Sequence, residues 1–211
     1  YAGLHIKKEV QRLDQFRKRP KHPLLLIIGG NKTAEKIKLI KSLIHQADMF
    51  FFTGVIANTY LYSQGYAIDR STIDVKGISE MLSIIKKLKV LKKKLILPID
   101  YAGINKKNKY LPSVLPKNIN QTISIKDIGV KTRAQLKTLL KDAKMIVWNG
   151  PLGQYETPKY AEGSKYLLDL LAKTKNPIII GGGDTLTLSS KMSQANNNIH
   201  WSTGGGAMLT F

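Results

Sequence analysis

The segment from Pro177 to Leu188 combines residue types that could bind a phosphate chain. It reads PIIIGGGDTLTL, in which three isoleucines lead into three glycines and then into Asp184 and Thr185. A glycine loop that opens a helix lets backbone amides approach an anion closely, and the helix dipole adds about half a positive charge. The local sequence leaves two roles open for Asp184: a ligand of phosphate-bound Mg²⁺, or an N-cap of the helix shared with Thr185.

Two lysines in the first third of the chain form a second candidate group. Lys32 follows Gly29 and Gly30, and Lys36 lies one helical turn further on, on the same predicted helix face. Cations at a helix N-terminus oppose the helix dipole, so a pair of them suggests an anion bound between the lysines and the glycine loop. In a chain this rich in lysine, a chance pairing is the competing interpretation.

Glycine recurs at the ends of five apolar segments, at positions 29 and 30, 54, 150 and 153, 181 to 183, and 204 to 206. Several bare loops at one edge of a sheet would hold a chain of phosphates at more than one point. The dinucleotide fingerprint G-x-G-x-x-G and the P-loop G-x-x-x-x-G-K-[ST] are both absent from the sequence. An ordinary dinucleotide-binding protein is therefore disfavoured.

Apolar segments alternate with helical periods along nearly the whole chain. Strands are predicted at 23–28, 49–52, 95–100, 122–125, 144–150, 177–180 and 199–203, and helices at 5–18, 33–47, 55–65, 78–92, 131–143, 159–173 and 185–195. Residues 101–120 show no period and are predicted to be a loop. This alternation indicates an α/β fold, a Rossmann-like three-layer sandwich with a mainly parallel sheet of about six strands, whose ligands bind beyond the carboxyl ends of the strands.

The composition indicates a globular protein of one ordinary domain, with 211 residues of which 43% are hydrophobic. Cysteine is absent, which excludes disulfides and thiolate metal sites, and no apolar run approaches the roughly 18 residues of a membrane span. The formal charge of +20 has two interpretations: attraction of an anionic partner, or a solvated basic surface. The basic stretches 17–22 and 86–94 lack interleaved aromatics on which bases could stack, so a nucleic-acid-binding module is only the alternative hypothesis.

Six motifs in the chain resemble one protein family. GGNKTAEKI, TGVIANTYLYSQGY, LPID, WNGPLGQYE, GGGDT and STGGGA occur in the order seen in the C-terminal, nucleotide-binding domain of phosphoglycerate kinase. On this resemblance, residues 1–20 are expected to be the helix between two domains and residues 21–211 the nucleotide-binding domain. The family's N-terminal domain has no counterpart in the chain, so we expect the chain to be a piece of a longer protein.

The resemblance implies a glycolytic phosphotransferase with a carboxyl group as acceptor. The reaction would be reversible transfer of a phosphoryl group from 1,3-bisphosphoglycerate to ADP, giving 3-phosphoglycerate and ATP, with Mg²⁺ as the metal. The phosphoglycerate would be bound through the N-terminal domain, so this chain alone is expected to be inactive. A cytoplasmic protein is implied, monomeric when full length, with neither a membrane nor a nucleic acid as partner.

The same resemblance assigns roles to individual residues. Lys32, Gly183 and Gly206 would be catalytic, Asp184 would hold Mg²⁺, and Glu156 would accept hydrogen bonds from the ribose hydroxyls. The other nucleotide-binding residues would be Gly30, Lys36, Thr53, Gly54, Asn149, Pro151, Gly181, Gly182, Gly183, Thr185, Gly204 and Gly205.

The sequence departs from the family pattern at four places. Asn31 replaces the usual alanine, the glycine-rich stretch is reduced to the three residues Thr53, Gly54 and Val55, and Lys126 and Gln154 replace apolar residues. Three of these four differences fall near the expected adenine pocket, so the resemblance does not fix the preferred base. The residues expected to handle phosphate are intact.

Overall fold

The computed structural model describes residues 20–68, 70–189 and 198–202. The predicted helix at 5–18 and the predicted catalytic and nucleotide-binding residues Gly204, Gly205 and Gly206 lie outside the described residues. No helix within the described ranges is long and apolar enough to cross a membrane.

Six parallel strands form the central sheet, in the order β3-β2-β1-β7-β8-β9. Their bounds are β1 Leu24–Ile28, β2 Met49–Phe52, β3 Lys94–Ile96, β7 Met145–Asn149, β8 Ile178–Gly181 and β9 Ile199–Ser202. Every residue of β1, β2, β7 and β8 is buried, as a strand covered on both faces requires. The predicted α/β fold with a six-stranded parallel sheet is therefore confirmed.

Helices cover both faces of this sheet, as predicted for a three-layer sandwich. The helices are α1 Thr33–Leu43, α2 Gly54–Ser63, α3 Ile78–Val90, α4 Val130–Asp142, α5 Glu162–Leu171 and α6 Gly183–Ser189. Side chains of α1 and α3, such as Ile40 and Leu88, pack with Leu26 on one face of β1. Leu139 of α4 and Leu167 of α5 pack with the opposite face.

The prediction of a loop over residues 101–120 is wrong. This region contains β4 Tyr101–Ile104 and β5 Tyr110–Val114, which pair as an antiparallel hairpin and join β6 Ser124–Ile128 in a second sheet of order β5-β4-β6. Asn105 stabilises the turn, because its Oδ1 accepts hydrogen bonds from the amides of Lys107 and Lys109 at 3.0 and 2.9 Å.

Asp100 fixes the small sheet to the sandwich. Its buried carboxylate accepts hydrogen bonds from the amides of Lys131 and Thr132 at 3.1 and 2.7 Å, which are two of the unpaired donors at the start of α4. It also accepts a hydrogen bond from the Ser113 hydroxyl on β5 at 2.5 Å. The predicted strand 95–100 is shorter in the structure and ends at Ile96. Asp100, which was predicted to be its last residue, instead accepts hydrogen bonds from amides in the first turn of α4.

Candidate functional site

A cleft of about 190 Å³ lies between the carboxyl ends of the parallel strands and the small sheet. On the sandwich side it is lined by Gly30, Gly54, Pro151 and Asp184, and on the other side by residues 125–128 of β6. This is the edge where ligands of open parallel sheets bind. The expectation that glycine-bearing strand ends meet at one edge is confirmed for β1, β2, β7 and β8.

The loops that follow β1, β2 and β7 pack backbone to backbone at this edge. The Gly30 amide donates to the Pro151 carbonyl at 2.7 Å, and the Val55 amide donates to the Gly30 carbonyl at 3.1 Å. Gly54 has a φ of +57°, and a Cβ there would lie 2.7 Å from the Gly30 oxygen. A side chain at Gly54 would therefore separate two of the loops.

Lys36 lies buried behind the Gly30 loop, with 7% of its surface exposed. Its amine donates a hydrogen bond to Oδ1 of Asn149, a fully buried residue at the end of β7. Burial lowers the pKa of Lys36, whereas the charges of Glu35 and Asp184 raise it and that of Lys32 lowers it further. The Asn149 Nδ2 has no hydrogen-bond partner in the described part of the chain, so two buried nitrogen donors lie side by side.

Lys32 has different surroundings from Lys36, although the sequence placed the two lysines on one helix face. Lys32 occupies the N-cap position of α1, where its φ and ψ of −88° and 76° are not helical, and its side chain is exposed. The two lysines therefore differ in burial: the Lys36 side chain is buried and the Lys32 side chain is exposed.

Asp184 lies inside the first turn of α6 and lines the cleft. The N-cap alternative does not describe this position, because the helix already begins at Gly183. The one hydrogen bond that its carboxylate receives from the described residues comes from the Tyr155 hydroxyl, at 3.3 Å. Thr185 is fully buried, and its Oγ1 accepts a hydrogen bond from the Gly150 amide at 2.9 Å.

Three further predicted site residues, Glu156, Gly182 and Thr53, have different surroundings. Glu156 is exposed and lines the rim of the cleft. Gly182, between β8 and α6, has a φ of +100°, and a Cβ there would contact Asn149 and Thr185. Thr53 faces away from the cleft's surface: it is fully buried and its hydroxyl donates to the Ile28 carbonyl at 3.1 Å.

The departures from the family pattern gather in the cleft. Asn31, Val55, Lys126 and Gln154 all line it, and the Gln154 amide donates to the Lys126 carbonyl at 2.8 Å. Sequence reasoning missed other lining residues, among them the polar residues Asn58, Thr72, Tyr101 and Asp127. Tyr101 was missed because its strand, β4, was predicted to be part of a loop.

Asp127 connects the small sheet to the first turn of α5. Its carboxylate accepts hydrogen bonds from the Gly163 and Ile128 amides at 2.7 and 2.8 Å, and a Cβ on Gly153 would lie 2.4 Å from it. Burial raises the pKa of Asp127 to about 7, although both amides lower it.

The residues present fit a magnesium ion that is shared with phosphate. The described residues contain no cluster of three or more His, Cys, Asp or Glu that could enclose a metal. Mg²⁺ is commonly held by one or two carboxylates together with phosphate oxygens, so a closed cage is unnecessary. Asp184 meets this need, since it lines the cleft and accepts only the Tyr155 hydrogen bond from the described residues.

A three-layer parallel α/β sandwich with a cleft at the strand ends defines the class of protein. All 211 residues match the family model for phosphoglycerate kinase, and the chain belongs to the phosphoglycerate kinase family.

Similarity to known phosphoglycerate kinases extends along the whole chain. The phosphoglycerate kinase of Borreliella afzelii (strain PKo) is 34% identical over 215 residues, covering 100% of this chain and 54% of the relative. That of Lactobacillus helveticus (strain DPC 4571) is 36% identical over 212 residues, covering 100% and 52%. The solved phosphoglycerate kinase from Coxiella burnetii superposes with a TM-score of 0.87 at 31% identity, covering 97% of this chain and 53% of that one. The chain thus spans about half the length of the relatives it matches.

Proposed function

We propose that this chain is the nucleotide-binding half of a phosphoglycerate kinase. Residues 21–211 are assigned to the domain that binds Mg·ADP or Mg·ATP. Family membership and coverage of about half of each relative support this division. The binding of the phosphoglycerate is assigned to the other half.

In the complete protein, the proposed reaction moves one phosphoryl group. The bond between phosphorus and the acyl oxygen of 1,3-bisphosphoglycerate breaks, and a bond forms from that phosphorus to a β-phosphate oxygen of ADP. The products are 3-phosphoglycerate and ATP, the reverse direction uses the same steps, and the setting is cytoplasmic glycolysis. Such a reaction needs positioning and electrostatic stabilisation more than covalent chemistry from the protein.

The observation that carries the proposal is the buried amine of Lys36 beside the Asn149 Nδ2, which has no hydrogen-bond partner among the described residues. A buried ammonium and a buried amide donor are costly without an anionic or accepting partner, and nucleotide phosphates supply both. The Lys36 amine therefore binds the phosphates of the nucleotide. The exposed Lys32 contacts the phosphoryl group during its transfer, together with the amide of Gly183.

The other residues orient the nucleotide. Glu156 at the rim accepts hydrogen bonds from the ribose hydroxyls, while the glycines at 30, 54 and 181–182 admit the phosphate chain close to the backbone. Asp184 holds Mg²⁺, which neutralises charge on the phosphate oxygens when bound.

Calorimetric titration of the chain with ADP, with and without Mg²⁺, tests the proposal. We expect ADP binding that depends far more on Mg²⁺ than on salt, and no phosphoglycerate kinase turnover by the chain alone. The rival nucleic-acid-binding function predicts tight binding of a single-stranded oligonucleotide that weakens steeply with salt. If the chain binds ADP neither with nor without Mg²⁺, the proposal is refuted.

A further inference from the structure

Helix α3 presents an outer face that combines lysines with exposed aliphatic side chains. Leu82, Lys86, Lys89 and Val90 lie within about 100° of one another around the helix, because they are four, seven and eight positions apart. Leu82 is 38% exposed and Val90 is 73% exposed, although both are large and apolar. The opposite side of the helix packs into the core, for example through Leu88. We call these four outward residues the basic face of α3.

The positive charge around this face is not balanced by acids of the described residues. Glu80 on the same helix pairs with Lys41, and Asp48 pairs with His22 and Lys93. Five lysines on α3 and just after it are exposed and form no ion pair within the described part of the chain: Lys86, Lys87, Lys89, Lys92 and Lys94. Such a concentration of uncompensated charge attracts an anionic partner.

The basic face runs along most of a regular helix. α3 has 13 residues and is therefore about 20 Å long. Leu82 and Val90 lie about 12 Å apart along its axis, and Lys86 and Lys89 lie between them. Long lysine side chains can reach the phosphates of lipid headgroups, while aliphatic side chains beside them enter the boundary between headgroups and acyl chains.

The composition of this segment distinguishes between classes of anionic partner. Residues 76–94 contain neither arginine nor an aromatic residue. Single-stranded nucleic acids are bound by stacking on aromatic side chains, and protein interfaces are enriched in arginine and aromatic residues but depleted in lysine. Clustered lysines on an amphipathic helix are typical of contact with anionic lipids. A lipid surface therefore fits this face better than a nucleic acid or a protein does.

We propose that the basic face of α3 binds the surface of a membrane that contains anionic phospholipids. The lysine amines contact the lipid phosphates, and Leu82 and Val90 enter the headgroup boundary. This peripheral contact goes beyond the nucleotide-binding role, and it replaces the expectation of no membrane partner, which the resemblance alone implied. None of the four residues lines the cleft, so nucleotide and membrane can be bound together.

Co-sedimentation with lipid vesicles tests the proposal. The unmodified chain should bind phosphatidylcholine vesicles that contain about 30% phosphatidylserine, and should not bind vesicles of phosphatidylcholine alone. Each lysine near an anionic surface contributes about a fivefold gain in partitioning, so Lys86→Gln combined with Lys89→Gln should weaken binding about 25-fold. The matched control combines Lys137→Gln with Lys141→Gln. It removes the same charge from the exposed side of α4, on the opposite face of the sheet, and should weaken binding less than about threefold.

Leu82→Gln combined with Val90→Gln separates entry into the lipid from attraction between charges. Glutamine forms helices well and leaves the charge of the face unchanged. Loss of the two apolar side chains should weaken vesicle binding about tenfold, since their transfer out of water is favourable. The same variant should bind a single-stranded oligonucleotide as the unmodified chain does. Every variant should melt at the temperature of the unmodified chain, because the replaced side chains are exposed.

Four outcomes would overturn the proposal. The first is equal binding to vesicles with and without phosphatidylserine. The second is an equal loss for the lysine pairs of α3 and α4, which would show that net charge acts without a defined face. The third is unchanged vesicle binding after Leu82 and Val90 are replaced. The fourth is oligonucleotide binding that the α3 lysine changes abolish while vesicle binding is unaffected, which would assign the face to a nucleic acid.

Discussion

Two lysines four positions apart differ in the cost of keeping their charge. The Lys36 amine is buried against Asn149, and burial lowers its pKa, whereas the Lys32 side chain is exposed at the N-cap of α1. An exposed lysine is stable in water without a partner. A buried lysine gains most from a bound anion. Nucleotide affinity should therefore depend more strongly on the Lys36 amine than on the Lys32 amine.

Replacing Lys36 by Met should weaken Mg·ADP binding about 10- to 100-fold, the range expected for losing a charge-assisted hydrogen bond. Methionine keeps the length and apolar stem of the side chain but removes the amine. Calorimetry measures the affinity, and Lys38→Met on the exposed side of the same helix is the matched control. If both variants bind Mg·ADP alike, Lys36 does not contact the phosphates.

Asp184→Asn should remove most of the Mg²⁺ dependence of ADP binding, because an amide oxygen is a poorer ligand for a hard cation than a carboxylate is. The measurement is the ratio of ADP affinities with and without Mg²⁺. Tyr155→Phe is the control, since it deletes the hydrogen bond to Asp184 and keeps the charge. A variant that melts lower yet retains the full ratio would assign Asp184 a purely structural role.

At the scale of elements, Asp100 joins α4 to the hairpin of β4 and β5. Burial alone would raise the pKa of Asp100, but hydrogen bonds from Ser113, Thr132 and the Lys131 amide outweigh it and hold the pKa below its usual value. The ionised carboxylate is therefore the form that the fold requires, and it is the acceptor for both sides of the junction.

Asp100→Asn should cost about 2–4 kcal/mol of unfolding free energy, because the new amide turns a donor toward buried donors. Ser113→Ala removes one of the hydrogen bonds and should cost about 1 kcal/mol. Urea denaturation measures both values. A loss below 1 kcal/mol for the Asn variant would mean that the capping hydrogen bonds are replaced when the carboxylate is removed.

The hairpin also shows why part of the fold escaped sequence analysis. The inner strands β1, β2, β7 and β8 are mainly apolar and fully buried, and their apolar runs identified them. Strand β5 contains Pro112 and has only one buried residue, Val114, so no run or alternation marks it. Pro112 is tolerated because β5 is an edge strand, and which strand forms the edge is settled by tertiary pairing.

At the scale of the whole molecule, the residues on the sandwich side of the cleft could be predicted from the sequence better than those on the side of the small sheet. Glycines after buried strands, together with Lys36 and Asp184, are local signals, and the structure brings them to one edge of the sheet. Tyr101 and Asp127 reach the cleft only because the small antiparallel sheet folds back over that edge. Their positions depend on long-range packing that no local pattern encodes.

Asp127 should make the stability of the whole chain fall as the pH rises from about 4 to about 7. Burial raises the pKa of Asp127 to about 7 from its ordinary value of 3.8, so the folded state holds a proton that the unfolded state releases. That contribution is complete below the unfolded pKa and is lost as the pH passes through the folded one, a difference of about 4 kcal/mol at most. Asp48 and Asp100 have lowered pKa values and act oppositely, since their contribution is lost only as the pH falls below about 4.

Urea unfolding at a series of pH values tests the Asp127 prediction. The quantity compared is the slope of the unfolding free energy against pH, not its value at one pH. Asp127→Asn cannot titrate, so its unfolding free energy should vary less between pH 4 and 7 than that of the unmodified chain, whatever its absolute value. The charge of Arg133 lowers the pKa of this carboxyl and that of Glu162 raises it, but burial is the largest effect. Asp142→Asn removes an exposed acid from the end of α4 and should leave the slope unchanged. Equal slopes for the Asp127 variant and the unmodified chain would show that the two amide hydrogen bonds keep the carboxylate ionised despite its burial.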